Sequence, residues 1–118
     1  MSMDIITYDG TFEGFLTGIF ECYNRKIFPV DIVSRNGEQK HLFAKKTDIQ
    51  SDSTKADRVW KGIQQKMTGR NKEMLFYAFL SEEKGIEMKI YRFVRRLFSE
   101  HFNIETDFGD ADVLYLTQ

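Results

Sequence analysis

The stretch Tyr8-Asp9-Gly10-Thr11-Phe12-Glu13-Gly14-Phe15-Leu16 packs a strand end, a tight turn and a helix start into one short span, and so fixes the first two elements of the fold. Met3 to Tyr8 is β-branched and apolar enough for a strand, and it stops at Asp9-Gly10, a pair suited to a turn. Thr11 stands where a helix N-cap belongs. Phe12, Phe15, Leu16, Ile19, Phe20, Tyr23 and Ile27 then recur on one face of a helix predicted to run to about Lys26. Glu13, Thr17, Glu21 and Arg25 take the other side, with Glu21 and Arg25 spaced for an i,i+4 ion pair.

Beyond Pro29, Val30 to Arg35 predicts a second strand, Asn36-Gly37 a hairpin turn, and Leu42 to Ile49 the returning strand. Ser51 to Thr54 is a polar break, and Thr54-Lys55-Ala56-Asp57 matches a capping box with Asp in the acidic place. Ala56, Val59, Trp60, Ile63 and Met67 form the stripe of the next helix, closed by Gly69. Asn71 can cap a third helix whose middle, Met74 to Leu80, is apolar all round, the pattern of a central buried helix. Gly85 separates it from a last long helix, Ile86 to Phe102, with Ile90, Phe93, Val94, Leu97, Phe98 and His101 facing inward. Asp110 could cap a further short helix docking through Val113, Leu114 and Leu116. The expected fold is α+β: a small antiparallel sheet from the N-terminal half, packed on about four helices, in a single domain over residues 1–118.

A length of 118 residues suits one domain, and 42% hydrophobic residues with 11 Phe are enough for a core built on rings. Cys22 is the single cysteine, so no internal disulfide can form, and neither a leader nor a long apolar run is visible. The expected location is the cytoplasm, with no membrane contact. His41 and His101 are the only histidines and no ligand pair has metal spacing, so no metal site is expected. No cofactor motif, nucleophile elbow or phosphate loop is present. Asp9, Glu13 and Glu21 could be imagined as an acid cluster. Asp9 as a turn residue and Glu13 as a complement to the helix N-terminus are simpler, and the chain reads more readily as a non-enzyme.

The net charge of −1 conceals a segregation. Residues 1–54 carry six Lys/Arg against eight Asp/Glu, residues 55–96 eleven against five, and residues 97–118 none against five. Within the basic middle, Lys89, Arg92 and Arg96 share one helical face, with Arg95 beside them. Lys55, Arg58, Lys61 and Lys66 stand on the outer side of the preceding Trp60 helix. Such a surface can follow a phosphate backbone, although charged outer faces are also what solvated helices carry. Gly14 and Gly18, four apart, suggest a close approach on the first helix, either of another element of the fold or of a second protein.

Four blocks, Tyr8 to Leu16, Phe20-Glu21, Arg58-Val59-Trp60-Lys61-Gly62-Ile63 and Tyr77-Ala78-Phe79-Leu80-Ser81-Glu82, together resemble a bacterial family of DNA-metabolism or DNA-repair proteins. The resemblance covers most of residues 3–118, with Tyr8, Asp9, Gly10, Phe12, Glu13 and Trp60 as its motif positions. It implies an accessory DNA-linked role in the company of a radical-SAM protein or a uracil-DNA-glycosylase-like domain. DNA would be bound through Lys89, Arg92, Arg95 and Arg96, helped by Lys55, Arg58 and Lys61. The rival expectation is a module that holds such a protein partner without touching DNA. The family continues into a helical segment with a His-Arg pair and a Phe-Arg-Phe-like stretch, which this sequence does not contain, so a missing C-terminal part is expected. The resemblance implies no reaction.

Overall fold

The computed structural model describes residues 3–35, 44–67 and 71–99. Asp4–Tyr8 forms strand β1, buried from Ile5 onward. Thr11 caps helix α1, Phe12–Asn24, from extended backbone (φ −86°, ψ 156°), its Oγ1 accepting the Gly14 N–H at 2.9 Å. Strand β2, Asp31–Ser34, runs parallel to β1 with Ile32 opposite Ile6. Strand β3, Lys45–Asp48, pairs with the other edge of β1, also parallel, with Thr47 opposite Ile6.

The sheet order is β2-β1-β3, and all three strands point the same way. This corrects the expected antiparallel sheet. A hairpin at Asn36-Gly37 would have laid β3 beside β2; instead β1 lies between them, and residues 36–43 fall outside the described residues. The physical reason lies in β1. Ile5-Ile6-Thr7-Tyr8 is buried at every position, as a strand covered on both faces must be, and α1 supplies the crossover that a parallel pair needs. β3 is polar and mostly exposed, a composition that suits an edge.

Tyr8 packs on Phe15 with ring centroids 6.0 Å apart, while a Cβ at Gly18 would stand 3.4 Å from Ile6 Cγ2. Thus α1 lies close on β1, and the close approach at Gly18 is internal. Thr17 and Glu21, expected on the outer side of α1, are buried at 1% and 2% exposure. Thr17 Oγ1 donates to the Glu13 carbonyl at 2.8 Å and accepts the Asp52 N–H at 3.1 Å, tying α1 to the start of the next helix. That helix, α2, spans Ser53–Lys66. Its cap is Asp52 rather than the predicted Thr54: Asp52 Oδ1 accepts the Lys55 N–H at 3.1 Å and its carbonyl the Ala56 N–H at 2.9 Å. An Asp two residues earlier outcompetes the Thr because its carboxylate also meets the positive end of the helix dipole.

Two compact units divide the chain, Met1–Trp60 and Lys61–Gln118, the boundary falling inside α2. In the second unit α3, Asn71–Leu80, and α4, Ile86–Leu97, pack on each other. α3 buries Leu75 and Phe79 but leaves Phe76, Tyr77 and Leu80 exposed, which corrects the expectation of a helix buried all round. α4 buries Ile86, Ile90, Tyr91, Phe93, Val94 and Leu97. It ends before the expected Phe102, with the Ser99 N–H turning to the Arg96 carbonyl. His41, His101 and the possible helix after Asp110 lie outside the described residues. Among the described residues no helix is long and apolar enough to cross a membrane.

Candidate functional site

Helix α4 turns its apolar side inward, and this fixes what its other side presents. Arg92 and Arg96 are exposed and Lys89 is half-buried, and helical spacing places all three on one stripe about 10 Å long. Arg95 stands aside, half-buried, with its guanidinium carbon 5.9 Å from the centre of the Tyr91 ring. Glu87 is the single carboxylate in α4, set against four cations. Each of the four is also engaged within the chain.

The cations of α2 are disposed differently. Lys55 Nζ lies 2.7 Å from Glu21 Oε1 and 5.7 Å from the centre of the Phe20 ring. Arg58 approaches the same ring at 5.7 Å. Glu21 also holds Arg25, as its spacing predicted. Burial pushes the Glu21 carboxyl up, but Lys55 and then Arg25 more than offset it and hold the group below its ordinary range. Lys55 therefore neutralises a buried carboxylate inside the first unit. Lys61 is exposed and belongs to the second unit.

The carboxyl edge of the sheet is the other place to look, because parallel sheets gather ligands there where strand order reverses. Asp9 follows β1, and its Oδ1 accepts the Thr11 N–H at 3.0 Å and the Thr11 hydroxyl at 2.6 Å. The Thr11 hydroxyl is the main cause holding the Asp9 carboxyl below its usual value, against the opposing effect of burial. Gly14 lies directly beneath: a Cβ there would overlap the Asp9 carboxylate. The start of α1 is therefore already supplied with its own anion. At the end of β3, Asp48 accepts Arg35 Nε at 2.6 Å, Thr7 Oγ1 at 2.8 Å and Gln50 Nε2 at 3.0 Å. Arg35 also reaches the Ile49 carbonyl at 3.0 Å, and the pair lowers the Asp48 pKa and raises that of Arg35. Ser51 donates to Glu13 Oε2 at 2.8 Å.

These contacts decide the acid-cluster reading. Glu21 is eight residues along α1 from Glu13, about 12 Å at the helical rise, so the three carboxylates do not converge. Asp9 is held more acidic, the opposite of what a general acid or base at neutral pH needs. Cys22 is buried in α1, and among the described residues no group of His, Cys, Asp or Glu could hold a metal ion. The remaining motif positions serve the core: Tyr8 is buried, and Phe12 meets Trp60 edge-on at 5.6 Å. Sequence reasoning missed Arg35, Asp48 and Gln50, which only the parallel strand order brings to one edge, and the exposure of Phe76 and Tyr77. No family model, curated protein or solved structure matches the chain.

Proposed function

We propose that this protein is an accessory factor of DNA metabolism or repair that holds nucleic acid against the basic stripe of α4. The supporting observation is that α4 cannot rotate without exposing Ile90, Phe93, Val94 and Leu97, which pins Lys89, Arg92 and Arg96 on its outer side. The resemblance of Tyr8 to Leu16 and its companion blocks to DNA-repair proteins supplies the context. Lys89, Arg92 and Arg96 are the phosphate contacts, with Arg95 beside them on α4 and Lys61 an exposed cation of the same unit. Lys55 and Arg58 belong to the first unit and are left out of this face, since both are drawn onto Phe20 and Lys55 onto Glu21.

The test is fluorescence anisotropy with labelled DNA at low and physiological salt, comparing the native chain with Lys89→Ala/Arg92→Ala/Arg96→Ala. Affinity should fall, and the slope of log K against log salt should flatten by about 0.7–0.9 per phosphate contact removed. A folded triple variant with unchanged affinity and slope would remove α4 as the binding face.

A further inference from the structure

We infer that the first unit carries a phosphate site of its own, independent of α4, in which Arg25, Lys55 and Arg58 take the dianion of a phosphomonoester. The three cations converge on two neighbouring residues of α1. Lys55 Nζ meets one oxygen of Glu21 at 2.7 Å and Arg25 Nε meets the other, so their heads stand side by side on one carboxylate. Lys55 and Arg58 both lie over the Phe20 ring, each 5.7 Å from its centre, and cannot be further apart than twice that distance. All five side chains belong to the same unit.

A buried carboxylate needs partners, and Glu21, 2% exposed, has Lys55 and Arg25. Arg58 is not one of them. It is exposed, and among the described residues no carboxylate pairs with it. A ring attracts its charge but accepts no ordinary hydrogen bond, so the guanidinium keeps a fork of donors for an oxyanion. Lys55 and Arg58 stand about one turn apart on α2, a spacing at which like charges destabilise a helix. Asp52 is spent on the Lys55 backbone N–H at 3.1 Å, and Asp57 lies on the far side of α2 from Lys55 by helical phase. Burial pushes the Glu21 carboxyl up, but Lys55 and Arg25 hold it below its ordinary range, so it stays ionised and offsets one charge of the three. A phosphomonoester brings about −1.5 to −2 at pH 7 on three acceptor oxygens, which matches the remaining excess. The phosphate inside a strand brings a single charge. The Arg25 and Lys55 side chains are 51% and 38% exposed, so each can turn a donor outward while still holding Glu21.

Calorimetric titration of the full chain with thymidine 5′-monophosphate, thymidine and inorganic phosphate reads the site. The monophosphate should bind and thymidine should not. Arg58→Gln breaks no ion pair among the described residues, and it should weaken monophosphate binding by about ten- to a hundredfold through lost charge-assisted hydrogen bonds. Glu21→Gln should tighten binding, because an internal anion no longer competes for Lys55 and Arg25. If that variant unfolds, Arg58→Gln decides alone. Anisotropy with 5′-phosphorylated and 5′-hydroxyl oligothymidylate then finds the source, in a Lys89→Ala/Arg92→Ala/Arg96→Ala background that silences the α4 stripe. Preference for the phosphorylated strand identifies a strand end. Monophosphate binding without that preference identifies a free nucleotide, and inorganic phosphate binding as tightly identifies the bare ion; each supports the site. Equal binding of both strands that Arg58→Gln weakens makes the cluster a strand track and overturns the monoester. Absent binding of monophosphate and phosphate, unaltered affinity in Arg58→Gln, or weaker binding in a folded Glu21→Gln overturns the site. None of these results bears on α4, whose own triple variant is read separately.

Discussion

Replacing Gly14 by Ala should destabilise the protein, although an interior helical alanine ordinarily stabilises by up to about 1 kcal/mol relative to glycine. The new Cβ would overlap the Asp9 carboxylate and come within 3.1 Å of Thr11 Oγ1. To admit it, Asp9 must swing into water and give up the two hydrogen bonds it receives from Thr11. Because Asp9 is exposed, each of those bonds belongs with ordinary rather than charge-assisted hydrogen bonds, about 1 kcal/mol. Disturbing the Thr11 cap adds up to about 1 kcal/mol more. A loss of roughly 2–3 kcal/mol against a gain of about 1 leaves a net cost of about 1–2 kcal/mol. In an Asp9→Ala background the obstruction is gone, and the same glycine replacement should be neutral or stabilising by up to about 1 kcal/mol. Urea unfolding of the four proteins in this cycle measures the coupling, expected near 2 kcal/mol. If Gly14→Ala stabilises the native background, or costs the same in both, the carboxylate is not the reason for the glycine.

Two further perturbations test the first unit. Lys55→Met leaves the buried Glu21 with Arg25 alone and should cost about 1–3 kcal/mol, less than a fully buried pair because Lys55 is partly exposed. Since Glu21 titrates below its ordinary 4.5 in the fold, its contribution is complete above that pH and lost as pH falls through the folded value, so Lys55→Met should move the acid-unfolding midpoint to higher pH, read by circular dichroism. Lys26 sits at φ 55° just beyond α1, where the Ile27 N–H reaches back to the Cys22 carbonyl. Lys26→Gly relieves a left-handed strain of about 1–2 kcal/mol and should raise stability by up to about 1 after glycine's own entropy cost, a gain that thermal unfolding would detect.

Local structure was legible where short-range chemistry decides it. The Thr11 cap, the amphipathic face of α1 and the Glu21–Arg25 pair all follow from spacings within one or two turns. Strand direction was not, because Asn36-Gly37 is a strong local hairpin signal while parallel pairing is decided by β1 taking neighbours on both edges. The uninterrupted apolar run Ile5-Ile6, rather than an alternating one, was the clue that favoured a buried parallel strand. Glu21 was misplaced for a related reason. Helical phase set it apart from the apolar stripe, but Lys55 of α2 closes over it. The α3 sequence is apolar on all sides, so periodicity could not say which side the fold would cover, and the side carrying Phe76 and Tyr77 was invisible until the burial of Leu75 and Phe79 showed it.

The residues on which the expected family resemblance was read are those the strand–helix junction uses most fully. Tyr8 lies against Phe15, Phe12 against Trp60, Asp9 and Thr11 close the start of α1, and Glu13 receives Ser51. Residues with such uses serve the fold and need carry no reaction. This makes a separable prediction for Asp9→Asn and Glu13→Gln. Both keep side-chain shape while removing charge from the first turn of α1, where an anion is worth about 0.3–1 kcal/mol. Unfolding midpoints should therefore fall. DNA affinity, measured where both variants remain folded, should on the proposed α4 reading stay within about twofold of the native chain, because both carboxylates are engaged at the start of α1, Asp9 by Thr11 and Glu13 by Ser51. A variant that stays fully folded yet loses DNA binding tenfold would return the junction to the functional site and displace α4 from it.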